Sequence, residues 1–186
     1  MHPTDVTSPA RTETSGPQIR RVLFWGAALS VVALDQATKS LVRASLDRGE
    51  SWPDADWPVR IRYVTNTGAA FGILEDQTLF LIVMAFVGLA AIYLYYRYPP
   101  FDHPVAAIAI GMMLGGASGN LIDRVRLGEV TDFIDFPSYP AFNVADSSIT
   151  VGIAIIILGY LLLAPERQRD GRGTRPAADE NAGADG

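Results

Sequence analysis

The sequence predicts an all-α membrane protein with four transmembrane helices, a small extracytoplasmic β-element and both tails in the cytoplasm. Three observations predict this class. The chain is 49% apolar with a positive mean hydropathy, its apolar residues gather in long runs, and its charged residues lie between the runs and in the tails. Each run has roughly 17–21 residues, which at about 1.5 Å per residue approaches the ~30 Å hydrocarbon thickness of a bilayer. The runs are residues 22–42, 78–96, 104–122 and 148–164.

One domain, residues 19–164, is expected between two disordered tails. Residues 1–18 are rich in Thr, Ser, Pro and Glu, and residues 165–186 are rich in Arg, Asp, Ala and Gly. Segments of such composition cannot bury a hydrophobic core. Arg20 and Arg21 precede the first apolar run as they would in a secretion signal. Because no small-residue cleavage site follows that run, we interpret it as a retained helix.

The arginines favour one orientation only weakly. An even number of spans places both tails on the same side of the membrane. That side would carry eight arginines, in the tails and in the connection between the second and third runs, against six in the two longer connections. Since cytoplasmic segments are enriched in Lys and Arg, the excess favours cytoplasmic tails.

Two further patterns concern packing rather than chemistry. Residues 58–65 alternate apolar side chains with two arginines, which predicts a β-strand lying beside the helices at the membrane surface. The third run contains Gly111, Gly115 and Gly119, a spacing that lets the backbone of another helix approach closely. We therefore expect this glycine face to contact a neighbouring helix.

Composition restricts the chemistry that the chain can perform. There is no cysteine, so thiolate metal sites and a cysteine nucleophile are excluded. His2 and His103 lie far from the polar residues of the apolar runs, so a histidine-based metal site or a Ser–His pair is not expected. A net charge of −5 without a basic patch argues against nucleic-acid binding. Carboxylates are the remaining hydrolytic groups, and they need no metal or cofactor.

Polar residues in and beside the apolar runs form five clusters. Ionisable groups are costly in a membrane and usually mark function there. The clusters are Asp35 with Lys39, residues 66–72 (Asn-Thr-Gly-Ala-Ala-Phe-Gly), residues 119–124 (Gly-Asn-Leu-Ile-Asp-Arg), residues 130–136 (Val-Thr-Asp-Phe-Ile-Asp-Phe) and residues 142–147 (Phe-Asn-Val-Ala-Asp-Ser). In this order, and set against four spans, they resemble the conserved boxes of lipoprotein signal peptidases across residues 20–164.

The resemblance implies roles for individual residues. It implies that Asp132 and Asp146 are the catalytic pair of an intramembrane aspartic endopeptidase. The residues that it places near the substrate or in support of the pair are Asn66, Gly68, Asn120, Arg124 and Asn143. The residues to which it gives a structural or activity-supporting role are Asp35, Lys39 and Asp123.

Other interpretations of the acids stay open at this stage. Asp135 lies three residues after Asp132, and the residues alone make it an almost equal candidate. Asp146 precedes an apolar run, so it could serve only as the N-cap of the fourth helix.

Structural interpretations also exist for the remaining polar residues. Asp123 beside Arg124 is expected to form an ion pair at a helix end. Asp35 and Lys39 share a helix face, because they are four residues apart, and are expected to form a buried pair. The Asn66-Thr67-Gly68 stretch could be a simple turn.

The resemblance also implies a substrate and a location. The enzyme would cut diacylglyceryl-modified prolipoproteins on the amino side of the lipidated cysteine, as a monomer in contact with membrane lipid. Globomycin-type cyclic peptides would inhibit it. It would lie in the inner (plasma) membrane of a prokaryote with its active site toward the outer face. Two alternatives are a small transporter or proton channel that uses intramembrane carboxylates, and a structural membrane protein whose polar residues join the helices.

Overall fold

The protein is described by a computed structural model that covers residues 16–53, 57–68, 77–99 and 103–170, with backbone alone for residues 163–170. Most of both predicted tails, and residues 69–72 of the second polar cluster, lie outside the described residues. Within the described part the chain forms four helices and a four-stranded sheet. The helices are α1 (Gly16–Ser45), α2 (Thr78–Arg97), α3 (Pro104–Leu127) and α4 (Val144–Asp170).

Each helix covers one of the predicted apolar runs, and three of the four qualify as membrane spans. Among the described residues, Thr78–Arg97, Pro104–Leu127 and Val144–Leu162 are long and apolar enough to cross a bilayer. Helix α1 has 30 residues, but its second half carries Asp35 and Lys39. Of the four membrane spans that the sequence predicts, three are thus supported by the length and apolar composition of the described helices.

Helix α3 is the centre of the bundle, because it packs against α1, α2 and α4. It begins at Pro104, whose missing N–H costs nothing in the first turn, and ends before Gly128. Gly128 has the left-handed conformation (φ 78°) typical of a residue that terminates a helix. This end of α3 leads directly into the sheet.

The predicted glycine face of α3 contacts α1, as expected. A Cβ atom at Gly115 would lie 2.5 Å from the carbonyl oxygen of Ala28, and one at Gly119 would lie 2.5 Å from a carboxylate oxygen of Asp35. Gly111 approaches the backbone of Phe24 even more closely. The two helices can therefore approach to backbone contact only because these positions carry no side chain.

Gly115→Ala is expected to lower the thermal unfolding midpoint in detergent. The added methyl group collides with backbone, so α1 and α3 must separate, at a cost of about 1–3 kcal/mol. Gly88→Ala is the matched control, since a Cβ at Gly88 in α2 meets no atom within 4 Å. There the change should be neutral or stabilising, because alanine favours a helix more than glycine does. Equal effects of the two substitutions would contradict the packing argument.

The sheet is small, antiparallel and ordered β1-β2-β3-β4. Its strands are β1 (Ser51–Trp52), β2 (Arg60–Asn66), β3 (Val130–Phe136) and β4 (Tyr139–Phe142). Strand β2 is the one that the alternating residues predicted. Because β3 leaves the end of α3 and β4 leads into α4, the sheet lies across one end of the bundle.

The exposed surface of the helices is strongly apolar. Helix α2 has no buried residue along its described length, and its exposed side chains include Phe80, Val83 and Phe86. Exposed leucines and isoleucines continue this surface on α1 and α4. An apolar surface of this extent is typical of helices that face lipid.

Candidate active site

The polar residues meet where the sheet joins the bundle. A cavity of about 280 Å³ lies between the end of α3, the start of α4 and strands β3 and β4. Its charged and amide lining residues are Asn66, Asn120, Arg124, Asp132 and Asp146. Its remaining wall comes mainly from β4 and from the first turns of α4.

Asp132 lies in the middle of β3 and is 3% exposed. Two amide groups hold its carboxylate from different elements. Asn143 Nδ2 donates to Oδ1 at 2.6 Å, and Asn66 Nδ2 donates to Oδ2 at 3.1 Å. The acid is therefore fixed in the cavity wall.

The surroundings of Asp132 favour its protonated form. Burial raises the pKa of this carboxyl from 3.8 to about 7, and the nearby negative charge of Asp146 acts in the same direction. Hydrogen bonds from Asn66 and Asn143 and the charge of Lys39 lower the pKa, but by less. Asp132 can therefore carry a proton near neutral pH.

Asp135 lies on the opposite face of β3. Alternate residues of a strand point to opposite sides of the sheet, so residues three apart cannot share a face. Asp135 accepts from Arg60 Nε at 3.0 Å and forms an ion pair with the same guanidinium. Of the two candidate acids in this strand, Asp132 lines the cavity and Asp135 is paired with β2.

Asp146 lies in the first turn of α4, where it forms a reciprocal cap with Asn143. Asp146 N donates to Asn143 Oδ1 at 3.0 Å, and Asn143 N donates to Asp146 Oδ2 at 3.2 Å. The interpretation of Asp146 as the N-cap is wrong, because α4 begins at Val144 and Asn143 takes that position. The other carboxylate oxygen, Oδ1, accepts from Asn120 Nδ2 at 2.8 Å.

Two asparagine amides connect the two acids. Asn143 Nδ2, which contacts Asp132, also donates to Asn120 Oδ1 at 3.1 Å, and Asn120 contacts Asp146. Lys39 Nζ donates to the same Asn120 oxygen at 2.8 Å. Because each amide has both a donor and an acceptor in use, neither can rotate without breaking the connection.

Lys39 is the buried cation that supports this network. Its ammonium lies 2.9 Å from Asp35 and 3.3 Å from Asp123, and the side chains of the lysine and Asp35 are fully buried. Asp35 also accepts from Ala145 N at 3.0 Å and so holds the first turn of α4. The expected pair of Asp35 and Lys39 therefore joins α1 to α3 and α4.

Asp123 pairs with α1 instead of its neighbour in sequence. The predicted ion pair with Arg124 is wrong, because consecutive helix residues point in different directions. Asp123 contacts Lys39, lies 3.9 Å from Arg43 Nη1 and accepts from Thr131 N at 3.1 Å. Its role is to tie the start of β3 to α1.

Arg124 reaches the opposite wall of the cavity. Its Nη2 donates to the Gly68 carbonyl at 3.0 Å, and Gly68 N donates to Asn66 Oδ1 at 2.9 Å. Residues 66–68 thus form a turn closed by the Asn66 side chain, one of the two interpretations that the sequence left open, and the same Asn66 contacts Asp132. Within the described part of the chain, Arg124 Nε is buried without a hydrogen-bond partner. The cavity lining therefore includes a residue with an N–H group available for an acceptor.

The arrangement is suited to hydrolysis by two acids. Asp132, which is buried, and Asp146, which is half-buried, line one cavity and are linked by amides that leave each carboxyl in a fixed direction. Two carboxyls in a partly dry site share one proton, so one can act as a base while the other acts as an acid. Among the described residues, no three potential metal ligands come together.

Comparison with known proteins gives the family of the chain. The profile of the signal peptidase (SPase) II family matches residues 27–162. The lipoprotein signal peptidase of Caldanaerobacter subterraneus subsp. tengcongensis is 50% identical over 135 residues, which cover 72% of this chain and 90% of the relative. That of Moorella thermoacetica is 41% identical over 143 residues, 77% of this chain and 95% of the relative. The chain belongs to the signal peptidase II family.

Solved structures agree with this assignment. A bacterial membrane enzyme determined by the in meso method at 2.3 Å resolution is 31% identical, with a TM-score of 0.68 over 82% of this chain and 92% of that one. A second, at 1.9 Å, is 35% identical, with a TM-score of 0.67 over 74% and 91%. As a signal peptidase II family member the chain is a peptidase of the membrane, which confirms the family and the enzyme class that the polar clusters predicted.

Some residues of this family member were not singled out from the sequence. Gln36 donates to Asp35 at 3.1 Å, to Asp123 at 3.1 Å and to the Gly119 carbonyl at 3.2 Å, and so completes the buried cluster. An uncharged polar residue inside an apolar run was the available signal. Strand β4, which forms part of the cavity wall, carries no such signal, because its position depends on pairing with β3.

Proposed function

We propose that this chain is an aspartic endopeptidase that removes signal peptides from diacylglyceryl-modified prolipoproteins, with Asp132 and Asp146 as its catalytic pair. The cut falls on the amino side of the lipidated cysteine. The observation that carries the residue assignment is the joint placement of both acids in one cavity of about 280 Å³. Membership in the signal peptidase II family supports the substrate.

The mechanism follows from one proton shared by two carboxyls. The ionised carboxylate takes a proton from a water molecule, which attacks the scissile carbonyl carbon, while the other carboxyl gives its proton to the carbonyl oxygen. The tetrahedral intermediate then collapses. The departing nitrogen receives a proton from the carboxyl that had acted as base, and the other carboxylate takes a proton back from a hydroxyl of the intermediate, which restores the starting pair. We assign to Arg124 and Asn66, which line the cavity, the role of holding the substrate backbone, and to Gly68, whose carbonyl accepts from Arg124, the role of leaving room for it. Lys39, Asp35 and Asp123 keep the two amides and the start of α4 in position.

The proposed membrane arrangement extends the three spans to four. Helix α1, with 30 residues and about 45 Å of length, is long enough to cross a bilayer despite its buried Asp35–Lys39 pair. Residues 19–164 then form the membrane domain, with both tails cytoplasmic and the sheet and cavity at the outer face of a prokaryotic inner membrane. Placing the cavity there suits a substrate whose acyl chains and signal helix already lie in the lipid.

An apolar cavity supports the binding of such a substrate. It has a volume of about 330 Å³ and lies between α2, α3 and α4, lined by residues such as Ile92, Ile110, Met113 and Ile156. An acyl chain or a signal helix could bury apolar surface here without leaving the bilayer. We infer that the enzyme acts as a monomer, and that globomycin-type peptides occupy the same cavity as the substrate.

A cleavage assay tests the function. The full chain, purified in detergent, is incubated with a prolipoprotein carrying the diacylglyceryl group and, separately, with the same protein lacking it. Mass spectrometry of the products should show cleavage directly before the modified cysteine in the first substrate only. Cleavage elsewhere, or equal cleavage of both proteins, would contradict the proposed specificity.

The activity should fall as the pH rises above neutrality. Because the pKa of Asp132 is raised to about 7, the pair holds its proton below that pH and loses it above, with about a tenfold loss of kcat per further pH unit. The same shift makes the fold less stable as the pH rises from about 4 to about 7, since the folded chain there binds more protons than the unfolded one. A pH profile of kcat tests this, with Asp135→Asn as a control that should keep the same profile. Constant kcat up to pH 9 would be inconsistent with a shared proton.

A further inference from the structure

Strand β4 forms one edge of the sheet and lines the candidate active site along its whole length. In the described part of the chain it pairs with β3 alone. The cavity that holds both proposed catalytic acids is lined by all four residues of the strand, Tyr139, Pro140, Ala141 and Phe142. Successive side chains of a strand point to opposite faces of a sheet, so one face could supply only alternate residues. The cavity therefore runs beside the edge of β4.

The inner end of this edge lies beside the two acids. Phe142 is the register partner of Ile134, which is two residues from Asp132 in β3. The chain then passes through Asn143 into α4, where Asp146 lies in the first turn. A peptide segment that follows the edge of β4 therefore passes the proposed catalytic pair.

A signal helix presents its backbone poorly to a protease. In a helix each carbonyl accepts from the N–H four residues later, and the side chains surround the backbone. A segment that unwinds beside a bilayer loses these bonds, and each backbone group left without a partner in a partly dry site costs free energy. The segment around the cleavage site therefore needs new backbone partners in the cavity.

The edge of β4 offers such partners. Along residues 140–142 the backbone groups point alternately toward β3 and away from it. Pro140 has no N–H, so this edge has fewer donors than acceptors and is best matched to the N–H groups of a peptide. The register shifts between Ile134 and Phe136, so that β4 carries an extra residue. Proline and a bulge both shorten the stretch available for pairing, which suits a short extended segment and disfavours association with a whole sheet.

We propose that the prolipoprotein segment around the cleavage site binds as an added strand against the edge of β4 at residues 140–142. This inference rests on the proposed peptidase function and names how its substrate is held. Strand addition draws its affinity from backbone hydrogen bonds. Sequences that differ around the cleavage site can therefore bind in the same way.

Backbone substitution in the substrate tests the pairing. A synthetic lipopeptide with the cleavage-site sequence is prepared with one amide at a time replaced by an ester, which removes a single N–H, at successive residues before the scissile bond. Each analogue is titrated in detergent against Asp132→Asn protein, which holds its ligand uncut. Loss of one hydrogen bond should weaken binding about fivefold at every second position, and the positions between should stay within about twofold of the unsubstituted peptide.

An introduced cysteine tests whether the segment lies on β4. The chain has no cysteine, so Ala141→Cys supplies its only thiol. Trp52→Cys is the matched control, because β1 is the other edge of the same sheet and Trp52 is exposed. A lipopeptide with an activated disulfide beside the cleavage site should couple to Ala141→Cys at least about tenfold faster than to Trp52→Cys, after correction for the reaction of each thiol with a small reagent. Thermal unfolding checks that both variants fold, and the ester series needs neither of them.

Two results would overturn the added strand. They are ester effects without a period of two residues, and equal coupling at the two edges of the sheet. Cleavage of the unsubstituted lipopeptide by wild type is measured in parallel. Cleavage without the alternation would reject the strand and keep the proposed function, whereas alternation without cleavage would reject the proposed function and keep the strand. A lipopeptide that does not bind at all would contradict both.

Discussion

Asparagine in place of Asp132, or in place of Asp146, is expected to reduce kcat for prolipoprotein cleavage by at least about 10³-fold. An amide cannot take up or release a proton at these pH values, so the pair loses either its base or its acid. Asparagine has nearly the same shape as aspartate, and at position 146 it keeps an oxygen that can accept the cap from Asn143. The fold should therefore survive, and the loss should appear in kcat rather than in the yield of folded protein.

Asp135→Asn is the matched control for this experiment. It makes the same exchange of one carboxylate oxygen for an NH2 group in an acid of the same strand, but on the face that pairs with Arg60. Its kcat should remain within a few-fold of wild type. Loss of activity in Asp135→Asn together with an active Asp132→Asn would move the catalytic role to the other face of β3. Full activity in both Asp132→Asn and Asp146→Asn would remove the aspartic mechanism altogether.

Lys39→Met is expected to destabilise the fold by about 3–5 kcal/mol. The substitution removes the cation that lies between Asp35 and Asp123 and leaves two buried carboxylates facing each other. The contact with Asn120 is lost as well, so the amides that connect the acids lose a fixed point. Unfolding in detergent by titration with SDS, followed by circular dichroism, measures the change.

Arg48→Met serves as the control for lost charge. Arg48 is 65% exposed and pairs with Glu129 at the surface, so its removal should cost less than about 1 kcal/mol. Adding Asp35→Leu to Lys39→Met should restore part of the stability, because one uncompensated charge disappears. Similar costs for Lys39→Met and Arg48→Met would show that the buried cluster contributes no more than an exposed pair.

The apolar runs predicted every helix but not where the helices end. The fourth was expected from residue 148 and begins at Val144. The reason is that Asp146 and Ser147, which are polar and so lie outside an apolar run, occupy a first turn whose backbone N–H groups need capping. The apolar composition of a run shows which segments face lipid. The residue at which a helix begins depends instead on the local hydrogen bonds that cap its first turn.

The sequence predicted which polar residues lie in the candidate site, but not which of them contact one another. The polar clusters contained both proposed catalytic acids and the two amides, because charged and amide groups are conspicuous in apolar sequence. The partner of Asp123 could not be read from its neighbours, since Lys39 is 84 positions away and is brought close by helix packing. The residues alone did not separate Asp132 from Asp135, whereas in the folded strand Asp132 lines the cavity and Asp135 pairs with Arg60.

The reciprocal cap between Asn143 and Asp146 has a consequence for how the enzyme matures. Both residues lie at the start of the last helix, and Asp35 of the first helix holds the same turn through Ala145 N. A chain still being synthesised, with α1 to α3 inserted, therefore possesses Asp132 but lacks Asp146, its proposed partner, and Asn143, one of the amides that hold its carboxylate. If the two acids are the catalytic pair proposed above, the chain becomes an active protease only when α4 docks, and an unfinished chain in the membrane cannot attack neighbouring proteins.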